Sequence, residues 1–454
     1  SSFSVRFIPA LFGTLTVLLT FLIGKDLYSS RTGFLSGLIL ATSSQFAYLS
    51  TRGNIDTTLT FFTTASIYCF SKWYRARKEV RSQGRIEGLS IYGFYVSMAL
   101  ATLAKGPVGF ILPLLVSLIY LAVQRDWTGI KGMKLLPGML LFTGVVLSWY
   151  LPAVMRGGQD YLNITLFKHT IDRYSEGWAK LRPIYYYFYN FPLGFLPWIF
   201  FLPAAIVYGF SKGITEKRKE FFFLMLWFAV IFLFFSLSKG KRGLYLLPAY
   251  PATSLMVGKL WDDFISTSMD HFKHEWISFP LYGFMGLTLL AGAAVPWAVS
   301  INFPSYLPYS LPIAFLLVGG SLAILVLYRF KNYGAILCLI IGMIAGGYFY
   351  TGRVVCPLVN PYKSSRFIAE EVASRILPGE KLSVYGRIGA APYNFYTGIV
   401  PILELNTKEE LLHFLESSER VFCLLPFSDF YEFQTMERRP KIQLIARRKV
   451  GDND

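Results

Sequence analysis

The chain has 454 residues, of which 54% are hydrophobic and 16% charged, and its mean hydropathy is +0.45. A soluble domain carries roughly a quarter charged residues, and a β-barrel shows alternating segments of about ten residues. Both are excluded by long continuous apolar runs, which leave a polytopic α-helical membrane protein. The net charge of +17 does not point to nucleic acid, because the cations lie in short loops between apolar runs, where they set topology.

The chain begins Ser-Ser-Phe-Ser-Val-Arg, as if entering mid-element, and a preceding segment is expected upstream. Twelve spans are predicted, at about 7–23, 33–50, 55–73, 88–104, 107–123, 135–155, 184–210, 221–237, 245–260, 277–299, 311–328 and 333–350. The loops 71–87, 124–134 and 211–220 carry most of the loop Lys and Arg and fall on one side, which is therefore cytoplasmic. The opposite face collects Arg6, Arg52, Lys105, Lys168, Arg173, Lys180, Arg182, Lys239, Lys241 and Arg242. Cations concentrated on the face that usually lacks them call for an anionic partner, and a lipid phosphate fits.

Asp56 opens the third span in Arg52-Gly53-Asn54-Ile55-Asp56. It reads either as a functional ionisable group or as an acid favoured by the helix macrodipole. Lys105 lies in the turn Lys105-Gly106-Pro107, where Gly and Pro suffice for the turn; the alternative is a snorkelling lysine. Within 156–183, Tyr161, Ile164, Phe167 and Ile171 have helical spacing, predicting an amphipathic helix on the membrane surface. It carries Lys168, His169 and Arg173. A lone histidine is most simply exposed, whereas arginine can grip phosphate oxygens bidentately or merely touch bulk headgroups. The sharpest set is Lys239, Lys241 and Tyr245, with Arg242 between them, in a short connection between two apolar runs. Two lysines and a tyrosine there can clamp one phosphate group, or anchor at the interface.

After residue 350 the pattern changes to a small α/β domain outside the membrane, over 351–454. Strands are predicted at 381–385, 421–425 and 442–446, and a helix over 408–419 capped by Thr407 with Glu410 three residues on. The four cysteines are too scattered for a disulfide framework or a metal site.

The pattern Lys-Gly-Lys-x-x-x-Tyr-x-Leu-Pro at 239–248 resembles the bacterial lipid A aminoarabinose transferases, which belong with the protein O-mannosyltransferases in the GT-C class of membrane glycosyltransferases. Arg6 and Pro9, Asp56, Lys105-Gly106 and Arg173-Tyr174 match further family segments in order. The resemblance implies a sugar donor on polyprenyl phosphate and inverting transfer on the periplasmic face of the bacterial inner membrane. The implied acceptor is an envelope glycolipid such as lipid A, another glycan or a protein. It implies that Lys105, Arg173, Lys239, Lys241 and Tyr245 surround the donor phosphate, with Arg6, Arg52, Lys168, His169 and Arg242 as further candidates. It also implies that Asp56 is the family's second acidic residue, that the main base lies on a span and loop upstream of this chain, and that the chain alone is inactive. Lys168 falls where the aminoarabinose enzymes have a metal-associated histidine, and His169 is one position off, so the resemblance does not carry a structural zinc here; no cofactor is expected, and a divalent metal stays open. The rival reading is a lipid-linked sugar flippase, which would show charged residues at mid-span and repeat-related halves. A non-catalytic scaffold is a third.

Overall fold

The structure, a computed structural model, describes residues 2–78, 84–162, 182–210, 218–266, 275–434 and 442–448. It divides into two compact units, residues 1–345 and 346–454.

The first unit is all helix. In order it holds α1 (Ser2–Leu27), α2 (Ser30–Thr42), α3 (Ser44–Ser50), α4 (Asp56–Lys78), α5 (Gly84–Lys105), α6 (Val108–Val123), α7 (Trp127–Gly132) and α8 (Leu135–Leu162). It continues with α9 (Tyr186–Gly194), α10 (Leu202–Gly209), α11 (Arg218–Leu237), α12 (Tyr250–Ile265), α13 (Glu275–Asn302), α14 (Leu307–Arg329) and α15 (Tyr333–Tyr350). Apolar helices need internal satisfaction of their polar side chains, and α1 supplies it locally. Thr16 donates to the Phe12 carbonyl at 2.6 Å and Thr20 to that of Thr16 at 2.8 Å. Small residues let the backbones approach: a Cβ on Gly24 of α1 would lie 2.6 Å from the Gly33 Cα of α2. The core is aromatic, with Trp73, Trp198, Trp227 and Trp261 fully buried. Their indole N–H groups are costly to bury unpaired. Trp198 donates to Thr42 Oγ1 at 2.9 Å and Trp227 to the Pro248 carbonyl at 3.1 Å.

Among the described residues seven helices are long and apolar enough to cross a bilayer, or eight if the pair at 186–194 and 198–209, bent by 120°, forms one span. This multi-pass architecture agrees with the composition, but the expected count of about twelve is not reached. The reasons are local. The run 33–50 breaks at Ser43, whose extended backbone separates α2 from α3. The run 245–260 begins as a 3-10 turn over Gly243–Ala249, and the α12 that follows has 16 residues, nearly all buried among other helices. The α6 helix also has 16 residues. Such segments are too short for a lipid-facing span and suit the interior of a bundle. The α4 helix is long enough, yet its Thr, Ser, Lys and Arg residues lower its hydropathy, and it too is largely buried.

The second unit contains α16 (Cys356–Lys363), α17 (Arg366–Ala373), β1 (Lys381–Tyr385), α18 (Ala391–Thr397), β2 (Leu403–Leu405), α19 (Lys408–Leu415), β3 (Val421–Leu424) and α20 (Phe427–Gln434). The sheet has order β2-β1-β3 and is parallel throughout, with Ser383 opposite Leu403 on one side and Cys423 on the other. Leu382, Val384, Phe422, Leu424 and Tyr393 form its core. The capping box at Thr407 and Glu410 is formed on both sides. The expected strand at 442–446 is absent: residues 442–448 are irregular. Cation–π contacts hold this segment instead, with the Arg447 guanidinium 3.4 Å from the Phe427 ring centre and that of Arg448 5.4 Å from Phe367. The strand β2 was not anticipated, because three residues are too few to display a period.

Candidate functional site

Three residues from distant parts of the chain converge at one end of the helical unit. Asp56 begins α4, and its backbone N–H donates to Asn54 Oδ1 at 2.9 Å, while Asn54 Nδ2 donates to the Leu49 carbonyl at 3.0 Å. This Asx turn starts the helix and aims the carboxylate. Lys105 ends α5, where Gly106 takes φ +77° and returns the chain toward α6. Its ammonium donates to Asp56 Oδ1 in an ion pair whose side chains are 19% and 7% exposed. The same ammonium stands 4.7 Å from the centre of the Tyr245 ring. The helix-end reading of Asp56 and the turn reading of Lys105 are each correct locally, but neither accounts for their pairing.

Tyr245 is held on the 3-10 turn Gly243–Ala249. Its ring packs on Phe235 at 5.5 Å, and the turn is anchored by Trp227 on the Pro248 carbonyl. At the start of the turn, Tyr187 Oη donates to the Arg242 carbonyl at 3.0 Å. Gly243 lies so close to Asn190 that a Cβ would come within 2.5 Å of its Oδ1, so a side chain there would push the Asn190 amide aside. Asn190 Oδ1 is buried without a hydrogen-bond partner, as is the hydroxyl of Thr57 next to Asp56.

The lysines of this connection behave differently from one another. Lys241 is buried, and its ammonium donates to the carbonyls of Ser238 and, at 3.3 Å, Arg182. Burial pushes its pKa below the ordinary lysine value. Lys239, Arg242, Arg6 and Arg52 are exposed. None of the four has a carboxylate within ion-pair distance among the described residues; Arg52 lies over the Tyr48 ring at 4.5 Å. Lys168, His169, Arg173 and the predicted surface helix lie outside the described residues. An Asn two residues before a helix-opening Asp signals the role of Asn54. Tyr187 belongs to a tyrosine cluster that reads from sequence as an interfacial belt, and nothing local marks its bond to the Arg242 carbonyl.

The resulting site has one carboxylate bound to one ammonium, an aromatic wall, and exposed cations around it. It suits an anion carried at the membrane boundary.

Known proteins match the chain in sequence and in fold. The family model of dolichyl-phosphate-mannose-protein mannosyltransferases matches residues 1–168. An uncharacterized protein of Aquifex aeolicus is 27% identical over 84% of this chain and 68% of its own length. The undecaprenyl phosphate-α-4-amino-4-deoxy-L-arabinose arabinosyl transferase 2 of Proteus mirabilis is 29% identical over 68% of this chain and 54% of its own. The chain thus spans about half the length of that transferase. The crystal structure of ArnT from Cupriavidus metallidurans in the apo state matches with a TM-score of 0.79 at 17% identity, covering 98% of this chain and 82% of that one. Its complex with undecaprenyl phosphate matches with a TM-score of 0.77. The chain's resemblance to the GT-C membrane glycosyltransferases is therefore shown, by sequence in the relatives it matches and by fold over nearly its whole length.

Proposed function

We propose that the protein moves a sugar from a polyprenyl-phosphate donor to a cell-envelope acceptor, with inversion, on the periplasmic face of the bacterial inner membrane. The observation that carries this reading is the meeting of Asp56, Lys105 and Tyr245 at one end of an apolar bundle. In the reaction the bond from the sugar's anomeric carbon to the phosphate oxygen breaks, and the phosphate leaves with the electron pair. The acceptor oxygen forms the new bond from the opposite face. Negative charge grows on the leaving phosphate, and Lys105 is the ammonium placed to stabilise it. Asp56 holds that ammonium in position; its carboxylate is engaged and is not a free base. Lys239, Lys241 and Arg173 complete the phosphate surroundings in this reading, with Lys241 released from its backbone carbonyls to reach the ligand. A phosphate acceptor, as on lipid A, arrives already deprotonated, whereas a hydroxyl acceptor needs a carboxylate to take its proton. The names of the similar transferases, which specify undecaprenyl phosphate and an aminoarabinose, support the donor class.

The test is label transfer in proteoliposomes, from radiolabelled undecaprenyl-phosphate sugars to an envelope lipid extract. Lys105→Ala is expected to lower the initial rate by about 10²–10³, the cost of removing one preorganised charge donor. Lys241→Ala and Arg173→Ala are expected to lower it as well. Intact donor that merely changes leaflet would replace the transferase with the flippase.

A further inference from the structure

A second cationic feature lies at the other end of the bundle. The α4 helix runs from Asp56 to Lys78, and its far half holds Asp26 just before the start of α2, where Arg31 pairs with Asp262; the Phe264 ring beside Asp262 packs on Tyr333 at 4.3 Å, which puts the start of α15 at the end remote from Asp56. There a cleft of about 490 Å³ is lined by Tyr282, Leu325, Tyr328, Arg329, Lys331 and Tyr333. Among the described residues its lining holds no carboxylate. Arg329 and Lys331 are exposed, and among the described residues neither side chain has an ion-pair or hydrogen-bond partner. The tyrosines form a linked wall, with ring centres 5.8 Å apart for Tyr282 and Tyr328 and 6.2 Å for Tyr328 and Tyr333. Ser278 fixes Tyr328 by a 2.5 Å hydrogen bond between their hydroxyls.

The backbone gives an independent sign. Lys331 has φ +54°, the left-handed conformation that glycine adopts freely and that costs another residue about 1 kcal/mol. The turn is closed by Lys331 N on the Tyr328 carbonyl at 3.0 Å and Asn332 N on that of Leu327 at 3.0 Å. Asn332 Oδ1 then accepts from Ala335 N at 3.2 Å and starts α15. A glycine at 331 would make the same turn more easily, so the turn gives no reason for the ammonium. Phe279 of α13, Leu322 of α14 and Phe330 just after it are exposed apolar residues on the same elements.

We propose that this cleft is a site for one anionic phospholipid. Arg329 and Lys331 would take the phosphate diester, the tyrosine hydroxyls its free oxygens, and the exposed apolar faces its acyl chains. The chemistry recognised is a phosphate monoanion, and the apolar approach favours a lipid over a soluble ion. The site is separate from the proposed transfer and does not depend on it.

Native mass spectrometry of the detergent-solubilised full chain, titrated with phosphatidylglycerol or phosphatidylcholine, tests this. One tightly retained phosphatidylglycerol is expected, with phosphatidylcholine not retained. Each cation near an anionic lipid is worth about 1 kcal/mol, so K331G should weaken retention about fivefold, and R329Q with K331Q about thirtyfold. K331G relaxes the backbone, so its folding is secure even where the double variant fails to fold. Unchanged retention in K331G would overturn the proposal and leave ordinary boundary contact with bulk lipid. So would a thermal-midpoint rise with inorganic phosphate that equals the rise with lipid, since the site would then take a soluble anion.

Discussion

The acids at the two ends of the helical unit are engaged to different degrees. At the end remote from Asp56, four carboxylates are saturated. Asp26 takes Tyr68 Oη at 2.7 Å and Lys72 at 3.6 Å. Asp126 takes Arg77 at 3.2 Å, Lys78 at 3.1 Å, Thr128 at 2.9 Å and the Gly129 N–H at 2.8 Å. Asp262 takes Arg31 at 3.2 Å, Ser29 at 3.0 Å and Thr32 at 2.5 Å, and the neighbouring Asp263 takes Tyr208 at 2.6 Å and Lys259 at 2.7 Å. These pairs tie helix ends together and leave the acids little capacity for anything else. At the Asp56 end a single described ion pair stands among exposed cations that have no carboxylate of their own. The saturated acids at the remote end hold helix ends together, whereas the one acid at the Asp56 end holds a single ammonium in place.

The comparison breaks if the saturated end affects transfer per folded molecule, or if lost stability alone accounts for the rate lost at the Asp56 end. The largest stability effect is expected for Asp262→Ala, which strips Arg31, Ser29 and Thr32 of their shared acceptor. About 2–4 kcal/mol of stability should be lost, read as a lower thermal midpoint, with transfer per folded molecule unchanged. For Lys105→Ala the large rate loss given above is expected per folded molecule, beside the midpoint drop that leaving the buried Asp56 carboxylate unpaired brings.

Tyr245→Phe keeps the aromatic face that Lys105 approaches and removes only the hydroxyl. A rate loss within about tenfold, one hydrogen bond's worth, would assign the ring as the main contribution. A loss as large as that of Lys105→Ala would make the hydroxyl a direct ligand of the donor phosphate. The smallest effect concerns pH. Burial opposes the ionisation of Asp126, but hydrogen bonds from Thr128, Lys78 and the Gly129 N–H, together with the charge of Arg77, outweigh it and hold the pKa at about 2 instead of 3.8. A carboxylate depressed on folding adds stability above its unfolded value and loses it as pH falls toward the folded one. The thermal midpoint of wild type should therefore drop between about pH 4 and 2 more steeply than that of Asp126→Asn, and parallel curves would remove Asp126 from the saturated set.

Much of this was legible in residue order. Long apolar runs identify membrane helices, because a bilayer requires a minimum apolar length. The strand at 381–385 and the cap at Thr407 are local events governed by a few adjacent residues. Asp56, Lys105 and Tyr245 could each be picked out as polar groups at span boundaries. What residue order does not carry is enclosure. The α12 helix looks like a span by composition, yet it is a bundle-core helix, because other helices rather than lipid surround it. The apolar segment 442–446 reads as a strand, but among the described residues it pairs with no edge, and the arginines that follow it go to aromatic rings instead.

The sequence by itself determined the membrane class, the positions of most helix ends and the identity of the groups available at the boundary, since each follows from local propensity and transfer free energy. Only the tertiary structure decided which of those groups meet. Lys105 pairs with Asp56 and faces Tyr245, whereas Lys241 turns to the carbonyls of Ser238 and Arg182. The physical reason is that a charge near a membrane boundary can snorkel, pair or bind a ligand at similar cost, and packing among distant helices selects one of these.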